Sequence, residues 1–200
     1  MVEIFQAHSK MILIAGGIAF VALIAWLMIF SSKAHHETLS KVAEKYGMKL
    51  TDDEMVLKAV SDVVGKTKYF STYGYPAGEV VASDEEFIFD LTKSTTRKPE
   101  HRTAYWAKTT APDVVFRERY LEKDGVHVPG LEKVWIVAVD ERAAFQSAEK
   151  IKDLLAENYH LYDIEISEGN LIVSMSGKAY NTDMYDGFLR FARTIRDRLK

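Results

Sequence analysis

YDIEISEGNLIVSMS, residues 162–176, is a pair of short runs in which apolar residues alternate with polar ones, set on either side of Gly169-Asn170. A period of two is the pattern of a strand. The Gly-Asn pair supplies the turn, so Tyr162–Ser167 and Leu171–Ser176 are predicted to form a hairpin. In that hairpin Ile164 and Ile166 share a face with Leu171, Val173 and Met175.

The flanking segments fit around it. Val134–Val139 is an apolar, β-branched run and reads as a strand. Glu141–Asn158 reads as one helix, with Asp140 as its N-cap and Ala144, Ala148, Ile151 and Leu155 on one face. Asp183–Lys200 reads as a last helix whose stripe is Met184, Phe188, Phe191, Ala192, Ile195 and Leu199. Its basic end, Arg193 to Lys200, suits the negative pole of the helix dipole. The order strand, helix, strand, strand, helix predicts an α+β fold, a mainly antiparallel sheet with packed helices.

Upstream, Glu79–Ala82 and Phe87–Leu91 flank a polar Ser83–Glu86 turn and read as a hairpin. Thr92–Glu100 reads as a polar loop, His101–Thr110 as a strand, and Asp113–Leu121 as an edge strand carrying Arg117, Glu118 and Arg119. Thr51-Asp52-Asp53-Glu54 has the spacing of a capping box, with Leu50 and Met55 placed as its hydrophobic staple. The helix it opens carries Val56, Val60, Val63 and Val64 on its inner face and ends at Gly65. Before it, Lys33–Tyr46 is amphipathic, with Leu39, Val42, Ala43 and Tyr46 in one stripe and Gly47 as a left-handed stop.

At the N-terminal end, Met11–Phe30 (MILIAGGIAFVALIAWLMIF) contains no charge and matches the ~20 residues that a helix needs to cross a bilayer. Its five Ile, three Leu, two Phe and one Val favour insertion by roughly 3–7 kcal/mol. The alternative is a cleaved signal peptide with Ser32-Lys33-Ala34 at the cleavage site, but the apolar run exceeds the usual ~7–15 residues of such leaders. The expected organisation is a tail at 1–10, a transmembrane helix at 11–32, juxtamembrane helices at 33–65 and a soluble α+β domain at 66–200. Lys33, Lys41 and Lys45 against Lys10 place the soluble domain on the cytoplasmic side.

Composition narrows the function. A net charge of −3 with mixed signs, and no basic stripe, argues against nucleic acid. There is no cysteine nucleophile, no phosphate loop and no HExxH or GxSxG motif. His35, His36 and Glu37 read as a solvated helix face rather than a metal site, because adjacent helical residues point apart. Asp52, Asp53 and Glu54 are explained by the positive pole of their helix. His101, His127 and His160 stand alone in sequence. No catalytic, cofactor-binding or metal-binding residue is therefore assigned. The least ordinary soluble stretch is Tyr69–Gly78 (YFSTYGYPAG), and Tyr69, Phe70, Tyr73 and Tyr75 are the candidate partner contacts. The competing reading folds these rings onto the core.

Several of these features recur as a pattern: Gly78 leading to Phe87-Ile88-Phe89-Asp90, Arg102-Thr103, Pro112 before Val115-Phe116-Arg117, and the Ile164-Glu165-Ile166 to Leu171-Ile172-Val173 hairpin before a terminal helix. In that pattern the chain resembles an uncharacterised family of single-pass membrane-anchored proteins of unknown function. The resemblance implies an anchor and an α+β domain, and it transfers no catalytic residues. The expected role is a membrane-tethered interaction or accessory subunit, touching the bilayer through residues 11–30 and other membrane proteins or its own copies through the soluble part. A membrane-anchored enzyme and a ligand-sensing domain are the alternatives.

The anchor is tested directly. Ile18→Arg together with Ala22→Arg places two charges in the apolar run, each costing about 2.5–3.5 kcal/mol at a bilayer centre. The double variant should move to the soluble fraction of a lysate, while the parent chain resists a carbonate wash.

Overall fold

The computed structural model describes residues 2–73, 78–95, 99–119 and 124–200, with side chains from residue 20 onward except 27–29. The chain divides into two compact units, Met1–Thr38 and Leu39–Lys200. A single helix, α1 (Val2–Tyr46), begins in the first and ends in the second.

In the first unit, Phe20, Val21, Leu23, Ile24, Trp26 and Phe30 are all exposed, and Trp26 stacks on Phe30 with centroids 5.6 Å apart. Among the described residues no helix is long and apolar enough to cross a membrane. Most of the expected span, 11–19 and 27–29, carries side chains that lie outside those residues.

The second unit is α+β. Its eight strands are β1 (Lys49–Thr51), β2 (Val80–Ala82), β3 (Glu86–Lys93), β4 (Glu100–Lys108), β5 (Val114–Glu118), β6 (Val134–Ala138), β7 (Tyr162–Ser167) and β8 (Asn170–Ser176). They form one sheet in the order β1-β2-β3-β4-β8-β7-β5-β6, and every neighbouring pair is antiparallel. The helices are α2 (Glu54–Gly65), α3 (Glu141–Lys150), α4 (Lys152–Asn158) and α5 (Thr182–Arg198).

Alternation along the strands separates two cores. One face gathers Ile88, Tyr105, Phe116, Ile136, Ile164, Ile166, Leu171 and Val173 under the end of α1 and under α3, α4 and α5. The other gathers Val80, Phe89, Leu91, Ala104, Trp106 and Ile172 under Val60 and Val64 of α2 and under Phe70 and Tyr73. The shared face expected of Ile164, Ile166, Leu171, Val173 and Met175 lies in the first core.

Five local expectations are corrected. The N-cap of α2 is Asp53, whose carboxylate accepts from the Met55 N–H at 2.7 Å. Thr51 cannot fill that role, because its backbone stays extended in pairing with Val80, and its hydroxyl accepts from Asp53 N–H instead. Met55 is 81% exposed, so no staple forms with Leu50. The hairpin turns on Glu168-Gly169, both at positive φ (49° and 73°), while Asn170 already pairs with Ser167 in the ladder. Two positive φ values suit a two-residue type I′ turn, which matches the twist of the flanking strands. The helix expected over Glu141–Asn158 breaks at the fully buried Ile151 (φ −121°, ψ 14°), giving α3 and α4. Finally, β5 is interior, between β7 and β6; the edges are β1 and β6. Asp140 does cap α3, accepting from Ala143 N–H at 3.0 Å. Gly47 stops α1 at φ 65°, with Met48 N–H bonded to Ala43 C=O at 2.8 Å.

Helix α5 is fixed to the sheet by Glu86. This carboxylate is buried at the start of β3 and accepts from Tyr105 Oη at 2.7 Å, from Arg196 at 3.1 Å and from both Nε (3.2 Å) and a terminal nitrogen of Arg193. Asp186 of α5 holds α1, accepting from Tyr46 Oη at 2.9 Å and from Lys45 Nζ. Burial works against the Glu86 charge, but the hydrogen bonds from Arg193 and Tyr105 outweigh it and hold the carboxyl below its ordinary value of 4.5. Removing one partner of a fully buried pair costs about 3–5 kcal/mol; the partial exposure of Arg193 reduces the expectation for Glu86→Gln to roughly 2–4 kcal/mol. A depressed carboxyl stabilises the fold above its unfolded value and loses that contribution as pH falls through its folded value. Urea melts of parent and variant should therefore differ fully at neutral pH, and the difference should shrink as pH drops below 4.5.

Candidate functional site

The same alternation that sends Ile164 and Ile166 into the first core sends Asp163 and Glu165 of β7 to the opposite face. There Asp163 meets Arg102 of β4 and Ser174 of β8, Glu165 lies two residues further along the strand, and all four are buried. The cover at this end is the segment after α2, a 3₁₀ turn at Phe70–Thr72.

Glu165, 1% exposed, accepts three successive backbone N–H groups, from Lys68, from Tyr69 at 3.0 Å and from Phe70 at 3.3 Å. Burial pushes its carboxyl up, and these three donors pull the other way. Arg102 lies at the centre of the cluster. Its terminal nitrogen donates to Asp163 and to Ser174 Oγ at 3.1 Å, and its Nε donates to Tyr73 Oη at 2.7 Å and Glu100 at 3.0 Å. Tyr73 Oη in turn donates to Glu100 at 2.6 Å, and Tyr69 Oη to Asp163 at 3.3 Å. Burial raises the Tyr73 phenol above its ordinary range, as does its bond to Glu100. Burial also pushes Asp163 up, opposed by the charges of Arg102 and Arg117. The guanidinium of Arg117 sits 4.6 Å from the Tyr69 ring centroid and 5.4 Å from that of Trp135, within cation–π range.

The structure thus separates the four aromatic residues singled out in the sequence. Phe70 (0% exposed) and Tyr73 (5%) belong to the second core. Tyr69 is half-buried and packs edge-on to Phe70, with centroids 5.0 Å apart. Tyr75 lies outside the described residues, as do the neighbouring Gly74, Pro76 and Ala77. A fully buried Phe70 ring offers no contact area to a partner, so for Phe70 and Tyr73 the core reading is the one the structure supports. Sequence reasoning missed Arg102, Asp163 and Glu165. The signal for the two carboxylates was the Asp163-Ile164-Glu165-Ile166 alternation, which reads equally well as a strand with one solvated face.

A small cleft of about 40 Å³ opens beside this cluster, lined by Tyr69, Arg117, His160 and Asp163 among others. That volume holds a water or two rather than a substrate. The carboxylates and guanidinium at its base are already matched to each other. Among the described residues no group of three or more His, Cys, Asp or Glu side chains could hold a metal ion. Comparison with protein-family models, with characterised proteins and with solved structures gives no match.

The Arg102–Asp163 pair is expected to stabilise the fold only as a pair. Arg102→Leu alone leaves a buried carboxylate without its cation and should cost about 3–5 kcal/mol in a denaturant melt. Arg102→Leu with Asp163→Leu should recover at least half of that loss. A double variant no more stable than the single one would show that the arginine acts through its other bonds.

Proposed function

We propose that this chain is a membrane-tethered interaction or accessory subunit, acting by contact rather than by catalysis, with its α+β unit on the cytoplasmic side of the bilayer. The observation that carries the reading is at the N-terminal helix. Six large apolar side chains between residues 20 and 30 are 41–65% exposed, and they continue an uncharged stretch that begins at residue 11. Their positions spread around the helix rather than along one stripe, which is how a helix looks when lipid, not protein, surrounds it. Apolar surface left open on this scale marks a membrane or partner contact. A tether confines a partner search to the membrane plane, where a contact module gains effective concentration.

Support for contact comes from how the α+β unit uses its charged groups. The two buried clusters, around Glu86 and around Arg102, pair carboxylates with guanidinium groups and bind elements of the chain to each other. They build a rigid scaffold, and a rigid scaffold lowers the ordering cost of binding a partner.

Mild-detergent purification of the chain, residues 1–200, followed by intact mass analysis, tests the reading. One or more further chains in stoichiometric amount is the expected result. A lone chain that turns over a small molecule, or that carries one, would replace contact with catalysis or sensing.

A further inference from the structure

Asp53 and Asp84 belong to different polar segments of the sequence, each explained locally: one opens a helix, the other lies in a hairpin turn. The fold brings them to the rim of one open groove of about 560 Å³. Its apolar wall is Val56 of α2, Ala82 at the end of β2, and Phe87 of β3. The Phe87 ring is stacked on Trp106 with centroids 4.6 Å apart and is half-exposed to the groove side. Met55, between the lining residues Asp53 and Val56, is one of the most exposed large apolar residues of the unit.

The groove runs beside an unfilled place in the sheet. β1 is an edge strand. The β2–β3 hairpin is closed by Ser83 N–H to Glu86 C=O at 2.9 Å. Hydrogen-bonding direction alternates along a strand, so Val81 faces β3 while Val80 and Ala82 face β1. Their partners Thr51 and Lys49 consequently turn inward, and the N–H and C=O of Leu50 turn outward. Among the described residues none meets either group.

Charge then selects the occupant. Asp52, Glu54 and Glu85 are exposed next to the two rim aspartates, against Lys49 as the basic lining residue. The carboxylates of Asp84 and Glu85 bond to no described residue. The whole chain carries a net charge of only −3, so this is a local concentration. A nucleic acid or an anionic lipid surface would meet like charge here. A second copy of this strand would bring the same carboxylates.

We propose that the groove beside β1 receives an extended segment of a partner protein in which an apolar residue and an Arg or Lys stand two positions apart, so that both face the groove. The segment adds a strand at Leu50, turns its apolar side chain toward Val56, and directs its cations to the acidic rim that Asp84 and Glu85 extend. Main-chain bonds at a sheet edge give affinity and the flanking pocket gives selectivity, the usual division of labour in strand addition. The proposal rests on the contact function above and names the surface that performs it.

The probe is the peptide acetyl-Ser-Leu-Ser-Arg-Ser-Arg-amide, whose Leu and Arg side chains share one face, titrated into the isotope-labelled chain in zwitterionic detergent and followed by backbone amide shifts. The expected result is saturable shifts centred on Leu50, Val56 and Asp84, with the Glu-for-Arg peptide silent. Asp84→Lys with Glu85→Lys, both on an exposed turn, should weaken binding at least about tenfold. If that variant misfolds, raising salt from about 0.05 to about 0.5 M with the unmodified chain supplies the same check, because exposed charge pairs are screened. No binding, equal binding of both peptides, or shifts that map elsewhere overturn the proposal. Should the variant retain a stoichiometric partner through detergent purification, the groove is wrong and the contact function stands. Should the unmodified chain purify alone, the contact function itself fails.

Discussion

A carboxylate taken out of water must find donors, and Glu165 finds them in the backbone. Leaving such a group charged and unmatched would cost several kcal/mol. Three consecutive N–H groups, from Lys68 to Phe70, converge on it, the arrangement by which a turn binds an anion. Here the anion is the protein's own. That capture seats the segment after α2 on β7, and Ser167 Oγ reinforces it by donating to Lys66 C=O at 3.3 Å. With the segment seated, Phe70 enters the second core and Tyr73 reaches Arg102.

The two ionic clusters do different structural work on the two faces. Glu86 collects its donors from α5 and from β4, so it ties a helix to the sheet across more than a hundred residues of chain. Arg102 collects its acceptors from β7, β8 and the aromatic turn, so it ties the cover of the second face to the strands beneath. Both are made of groups that tolerate little displacement, and this sets registry as much as stability.

The elements with strong periodicity were legible in the sequence, and the reason is burial on one side. The β7–β8 pair, β6, α5 and the Asp140 cap all follow from spacing alone. Tyr185 and Leu189 of α5 were missed as core because they widen the stripe beyond the narrow set of every third and fourth residue. The capping residue of α2 was misplaced by two positions because β1 competes for Thr51, and a three-residue edge strand leaves no periodic signal. The Gly-Asn pair misplaced the turn by one residue: Asn is a good turn former, but Glu168 takes the left-handed position at its own cost. The candidate contact residues were drawn from composition, which cannot tell a buried tyrosine from an exposed one. The acidic groove was out of reach for another reason. Its two carboxylate runs are explained separately by a helix start and a turn, and only the fold makes them neighbours.

The strand order carries a consequence for how the molecule is made. β8 is the single strand that joins β1–β4 to β5–β7, with β4 on one side of it and β7 on the other. Until residues 170–176 leave the ribosome, the nascent chain can build at most two separate half-sheets, each with an open edge. β4 must wait for a partner more than sixty residues downstream, and late, non-local pairing of this kind slows folding. During synthesis the apolar run of β4 is therefore bare on its β8 side, and the last hairpin is what seals it.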